Sequence, residues 1–224
     1  MSIKDWHEDE RPREKMLSKG AESLSDSEIL AIFLRTGTKN QSAIELARSL
    51  IDKFGSLAEL LCAPSEQVMD CHGIGLAKYA QILASLEMGK RYLTSQIKQS
   101  ANLGSSQLVK DYLTTQLRHL RREVFAVLFL SNELSLIQFE ILFTGGLSSC
   151  SICVREVLKS ALKHGASQLI IAHNHPNTSA APSKSDLELT KALAKACELI
   201  DMRLIDHIIV AQDGTKSLKE MGKF

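Results

Sequence analysis

Two histidines separated by one residue, His173 and His175, followed after a proline-bounded stretch by Asp186, are side chains of the kind that hold a divalent metal ion. The run that leads into them, Ser167-Gln168-Leu169-Ile170-Ile171-Ala172, is short, apolar and partly β-branched, bounded by Gly165 upstream and Pro176 downstream. Such a run predicts a core strand. Residues two apart on a strand share a face, so His173 and His175 project together while Asn174 faces away.

From Pro176 to Pro182 the chain is rich in small polar residues and predicts a loop returning towards the strand end. Ser183 and Asp186 then fall at the opening of a helix, about Asp186 to Ile200. Two imidazoles on a strand end facing a carboxylate on a helical turn suit Zn²⁺, which takes nitrogen and carboxylate oxygen at about 2.0–2.2 Å. Three protein ligands leave a fourth position open, the arrangement of hydrolytic rather than structural zinc. Each residue also has a plainer use: Asp186 as a first-turn acid, and Ser183 with Asp186, or Ser185 with Glu188, as a capping box.

His-x-His, then seven residues, then Ser-x-x-Asp, as in His173-Asn174-His175 and Ser183-Lys184-Ser185-Asp186, resembles the signature of JAMM (MPN-type) zinc metalloproteases. More narrowly, His-Asn-His-Pro, the Pro-Ser before the aspartate and Leu204-Ile205-Asp206-His207-Ile208-Ile209-Val210 resemble the bacterial RadC family, over nearly the whole chain. The resemblance implies that His173, His175 and Asp186 are zinc ligands and that Ser183 helps to stabilise a tetrahedral oxyanion. It also implies a glutamate general base from an upstream strand. Glu123, which opens the run Val124 to Leu130, is the first choice, and Glu140, in the strand-like stretch Leu134 to Phe143, is the rival. The substrate class implied is a peptide or isopeptide bond in a protein or peptide substrate.

The elements that must position these residues follow from periodicity. Two strands, about Glu123 to Leu130 and Leu134 to Phe143, are joined at Ser131-Asn132-Glu133 as a hairpin. A helix over Ile152 to His164 then makes a strand-helix-strand unit with the metal-site strand. A helix over Gln107 to Leu120 precedes them, and strands at Arg203 to Ala211 and Thr215 to Leu218 close the chain. Asp206 and His207 are adjacent, hence on opposite faces of a strand, and read as structural.

The first part of the chain is helical in pattern. Residues 1 to about 20 are charged and turn-rich and read as an arm. Ser25 with Glu28 is a capping box for a helix ended by Gly37; a second helix spans Gln41 to Lys53, and shorter ones cover Leu57 to Cys62 and Ser65 to Asp70. Gly73-Ile74-Gly75, feeding a helix from Leu76 to Thr94, resembles a helix-hairpin-helix element, where glycines let backbone approach a phosphate and Lys78 adds charge. Acids at Glu59, Glu66, Asp70 and Glu87 weigh against it. The polar stretch 96–106 is the linker candidate.

With 224 residues and 44% hydrophobic side chains, two packed domains are expected. The net charge of +1 shows no global nucleic-acid footprint. No apolar run nears the roughly 20 residues of a membrane span, and Met1 to Arg13 lacks a signal-peptide core, so a cytoplasmic protein is expected. Cys62, Cys71, Cys150, Cys153 and Cys197 are scattered and odd in number, which suits reduced thiols; Cys150-Ser151-Ile152-Cys153 is a lone C-x-x-C.

The expectation is therefore an all-α domain over 1–96 with a helix-hairpin-helix-like element, then a JAMM/MPN-like α/β domain over 102–224, a mixed sheet flanked by helices. The function expected is a zinc-dependent metallopeptidase, and the alternative is a DNA-associated repair or replication accessory acting through the first domain. A nuclease reading of His-Asn-His fails, because three adjacent strand residues cannot face one metal.

Overall fold

Pro12 opens a helix because its fixed φ suits the first helical position and its missing N–H leaves nothing unsatisfied there. The computed structural model places this helix, α1 (Pro12–Lys19), within the stretch read above as an arm, with Gly20 ending it. The structure describes residues 6, 7, 10–99, 103, 106–145 and 152–224, with backbone alone at 98, 99 and 106. Cys150 of the C-x-x-C, and residues 100–102, 104 and 105 of the linker reading, lie outside the described residues.

Two capping boxes set the next helices. Ser25 accepts from the Glu28 N–H while Glu28 accepts from the Ser25 N–H at the start of α2 (Asp26–Leu34). Ser42 and Glu45 do the same for α3 (Ala43–Phe54). Helix α2 does not run to Gly37: Arg35 takes a positive φ of 62° and ends it. Gly37 serves a close approach instead, since a Cβ there would lie 1.9 Å from the Gln41 carbonyl oxygen. Short helices α4 (Leu57–Cys62) and α5 (Ser65–Met69) follow, then α6 (Leu76–Gln99). Leu30, Leu34, Ile44, Leu50, Leu60 and Ile82 form the core of this unit.

The chain divides into two compact units, Met1–Gly89 and Lys90–Phe224. The division falls inside α6 and not in the polar stretch 96–106, because the helix continues to Gln99 and Leu93 and Ile97 join the second core.

The second unit opens with α7 (Ser106–Leu117) and the hairpin β1 (Val124–Leu130) and β2 (Leu136–Thr144). Then come α8 (Val154–Lys163), β3 (Gln168–His175), α9 (Lys184–Glu198), β4 (Arg203–Ala211) and β5 (Gly214–Ser217). The sheet order is β2-β1-β3-β4-β5, antiparallel except for the β3–β4 pair. Every residue of β1 is buried, as expected of a strand covered on both faces.

Alternation assigns the two faces. Ala126, Leu128, Ile170 and Ile208 pack with Leu113 and Leu117 of α7. On the opposite face Phe125, Phe129 and Ile171 pack with Val157 of α8 and Leu193 of α9. The result is the expected mixed sheet flanked by helices.

Two features of this unit prepare the site. The parallel β3–α9–β4 crossover returns the chain so that α9 starts beyond the end of β3 that carries the histidines. A bulge then interrupts β4: Leu204 lies opposite Leu169, but Asp206 lies opposite Ile170 and His207 opposite Ile171, so Ile205 is the extra residue. The bulge reverses the alternation, bringing His207 onto the face shared by Ile171 and His173.

Candidate metal centre

His173 and His175 occupy the last turn of the pleat in β3 and share a face, as the one-residue spacing requires. Asp186 meets them from the first turn of α9. His173 Nε2 lies 2.9 Å from His175 Nε2 and 3.3 Å from Asp186 Oδ1, and His175 Nε2 lies 3.8 Å from Asp186 Oδ2. A tetrahedral ion with bonds of about 2.0–2.1 Å separates its ligands by about 3.3 Å, so these separations bracket what zinc needs. Among the described residues, this is the one cluster of three or more His, Cys, Asp or Glu side chains suited to holding a metal ion.

Hydrogen bonds decide which ring nitrogens face the centre. His175 Nδ1 lies 2.8 Å from the Ser179 carbonyl oxygen, which only accepts, so Nδ1 carries the proton. His175 Nε2 is then the nitrogen that faces the centre. On the other ring, Thr190 Oγ1 donates to the Asp186 carbonyl at 2.5 Å and therefore accepts from His207 Nδ1 at 2.6 Å. His207 Nε2 is left to accept from His173 Nδ1 at 2.8 Å, and His173 Nε2 is the nitrogen that faces the centre. Complete burial pushes the His207 imidazole well below its usual pKa, which keeps the ring neutral. The two inward nitrogens and the carboxylate form an N₂O donor set of the type zinc takes.

Burial pushes the Asp186 carboxyl up, but the His173 ring and the Ser183 hydroxyl and N–H outweigh it and hold the group far below the ordinary carboxylate range. Ser183 is the N-cap of α9: it accepts from the Asp186 N–H at 3.2 Å, while Asp186 Oδ2 accepts from the Ser183 N–H at 2.8 Å and hydroxyl at 2.7 Å. Of the two capping boxes the sequence offers, the chain uses Ser183–Asp186, and Ser185 sits inside the helix. Ser183 thus lies against the Asp186 carboxylate, to which its hydroxyl donates.

Glu123 directly precedes β1. The β1–β3 register ends at the pair Phe125–His173, two residues after Glu123. The Glu123 carbonyl accepts from the Gly145 N–H at 2.9 Å. The rival Glu140 lies in β2, accepts from Ser160 at 2.8 Å and contacts His164 Nε2 at 3.1 Å, both on the α8 side. It is held away from the histidine pair. Local periodicity sets the face of neither side chain, so the sequence alone gives His207 a structural role and does not single out Thr190.

Residues 103–223, which carry the sheet and its His-His-Asp cluster, match the RadC-like JAB domain family, and residues 3–80 match the UPF0758 N-terminal family. The chain belongs to the RadC family. A UPF0758 protein of Psychrobacter cryohalolentis is 69% identical over 220 residues, covering 98% of this chain and 97% of the relative. A UPF0758 protein of Aeromonas hydrophila is 50% identical over 222 residues and 99% of each chain. One of Acinetobacter baylyi is 50% identical over 220 residues, covering 98% of this chain and 81% of the relative. The RadC-like JAB domain accounts for the JAMM-like sheet and helices.

In the RadC N-terminal region the Gly-Ile-Gly turn is built as a strut. Gly73 has a φ of 86°, and Lys78 Nζ donates to the carbonyls of Thr36 at 2.7 Å, Gly73 at 2.9 Å and Gly37 at 3.3 Å. Three carbonyls satisfy the three N–H donors of an ammonium, so Lys78 is occupied where the sequence reading has it offering charge to phosphate. A separate cleft of about 990 Å³ in this unit is lined by Arg11, Arg13, Arg35 and Lys39 together with Glu14 and Glu45. No helix among the described residues is long and apolar enough to cross a membrane.

Proposed function

We propose that the protein is a zinc-dependent hydrolase cleaving a peptide or isopeptide bond in a protein or peptide substrate. The observation that carries this reading is the convergence of two imidazole Nε2 atoms and one carboxylate, all within 4.8 Å of one another and each held by a hydrogen bond on its far side. His173, His175 and Asp186 would hold the ion and leave a fourth position open. When bound, zinc supplies Lewis acidity that makes water acidic near pH ~7.

The remaining work falls to this chain's own side chains. Glu123, two residues before the Phe125 that pairs with His173, takes a proton from the attacking water and returns it to the leaving amine. Ser183 turns its hydroxyl from Asp186 towards the developing oxyanion. Metal content of purified protein tests the reading. About one zinc per chain in the wild type, lost in Asp186→Ala and kept in Glu123→Gln, is expected for a ligand and a base. A folded wild type that takes up no zinc from a supplemented buffer overturns it.

One observation favours a second reading, association of the N-terminal unit with DNA. Arg11, Arg13, Arg35 and Lys39 line one cleft, and clustered cations supply most nonspecific affinity for phosphate backbone. Binding to duplex DNA that weakens with salt and falls in Arg35→Glu and Lys39→Glu supports it; binding unchanged in both removes it.

A further inference from the structure

The ring behind His173 is neither exposed nor idle. His207 is fully buried on β4, its ring set edge-on to Phe125 with centroids 6.4 Å apart, and both of its nitrogens are engaged. Nothing in the His-x-His and Ser-x-x-Asp pattern includes it or Thr190.

We infer that His207 and Thr190 are positioning residues that fix which nitrogen of His173 faces the metal position, an inference that rests on the zinc reading proposed above. The argument runs inward from one carbonyl. The Asp186 carbonyl oxygen can only accept, so the Thr190 hydroxyl spends its proton there and turns its lone pairs to His207. His207 therefore carries its proton on Nδ1 and accepts through Nε2. His173 must donate through Nδ1, leaving Nε2 as the ligand atom.

The relay begins and ends at the same centre. Asp186 supplies the first acceptor through its backbone and a ligand oxygen through its side chain, so one turn of α9 sets both the carboxylate and the tautomer of the ring it faces. Partners behind a ligating histidine commonly alter metal affinity about 10–100-fold when removed.

The test is made on the full chain with zinc alone as the probe. Zinc affinity is measured by chelator competition at one pH for wild type, Thr190→Ser, Thr190→Val and His207→Gln, and the tautomer of His173 is read from imidazole ¹⁵N shifts in zinc-free protein. Thr190→Ser, which keeps the hydroxyl, is expected to bind as wild type does. Thr190→Val, close in shape but without the hydroxyl, is expected to bind about 10–100-fold more weakly at unchanged stoichiometry. His207→Gln, whose amide oxygen still accepts from His173 Nδ1, is expected to fall between them.

Wild-type affinity in folded Thr190→Val overturns the inference. So does zinc-free wild-type protein in which His173 carries its proton on Nε2. Should the wild type take up no zinc, the zinc reading fails while the ¹⁵N shifts still decide the relay: the Nδ1 proton present in wild type and redistributed in Thr190→Val upholds it, and the same pattern in both removes it.

Discussion

Asn174 brackets Glu123 from the neighbouring strand: its side-chain oxygen accepts from the Val124 N–H at 2.8 Å, and its amide donates to the Arg122 carbonyl at 3.2 Å, one residue to either side. A third bond, at 3.0 Å, reaches the Leu120 carbonyl. The middle residue of His-Asn-His faces away from the histidines, as alternation requires, and from that side it pins the segment that carries the proposed base. Each face of one short strand end thus serves one centre.

Asn174 is 1% exposed, so truncating it strands a buried N–H and two carbonyls. Asn174→Ala is expected to lower stability by about 2–3 kcal/mol in denaturant unfolding. Asn174→Asp keeps the acceptor for Val124 but turns a buried carboxylate towards the Leu120 and Arg122 carbonyls, so it should lose at least as much near neutral pH. Zinc stoichiometry should be unchanged in both, since the ligands lie on the opposite face; loss of zinc from folded Asn174→Ala would contradict the geometry.

Ser183 caps α9 and holds Asp186 by its N–H and hydroxyl. Ser183→Ala should cost about 1 kcal/mol in thermal or denaturant unfolding, and Ser183→Asn, which can still accept from the Asp186 N–H, should recover most of it. An unchanged midpoint in Ser183→Ala would show that the box carries no net stability.

Lys78 ties the Gly73 turn to the segment after α2 through three carbonyls. Lys78→Met keeps the apolar stem and removes every donor. A loss of about 1–2 kcal/mol is expected. Circular dichroism during urea unfolding measures it, with Lys78→Arg as the variant that retains charge and donors.

Glu28 supplies the pH dependence. Burial pushes its carboxyl up, but the Ser25 N–H, the Lys15 ammonium at 2.9 Å and the Ser25 hydroxyl together hold it below its ordinary 4.5. A depressed folded-state pKa stabilises the fold above the unfolded value, and that stability is lost as pH falls from about 4.5 through the folded value. Glu28→Gln keeps the reach back to Ser25 without the charge, so it should be less stable by about 0.5–1 kcal/mol at pH ~7. The gap should close as both proteins are taken below pH ~4; a gap independent of pH would rule out the charge as its source.

The local pattern alone determined much of this protein. Capping boxes at Ser25 and Ser183, the apolar periods of the helices, and the alternation through His173 and His175 are properties of neighbouring residues, and they led to the elements and to the His-His-Asp set. Polar composition hid α1, whose signal was Pro12, and it suggested a linker where α6 continues because Leu93 and Ile97 have a second core to enter. The tertiary structure decided what depends on two distant segments meeting. One extra residue at Ile205 reverses the faces of β4 and brings His207, in place of Asp206, behind His173. Cross-strand register and buried hydrogen bonds join residues far apart in the chain, as Asn174 joins Arg122 and Val124 and Lys78 joins Thr36. No periodicity encodes such partners, because a hydrogen bond between distant segments depends on the packing that brings them together.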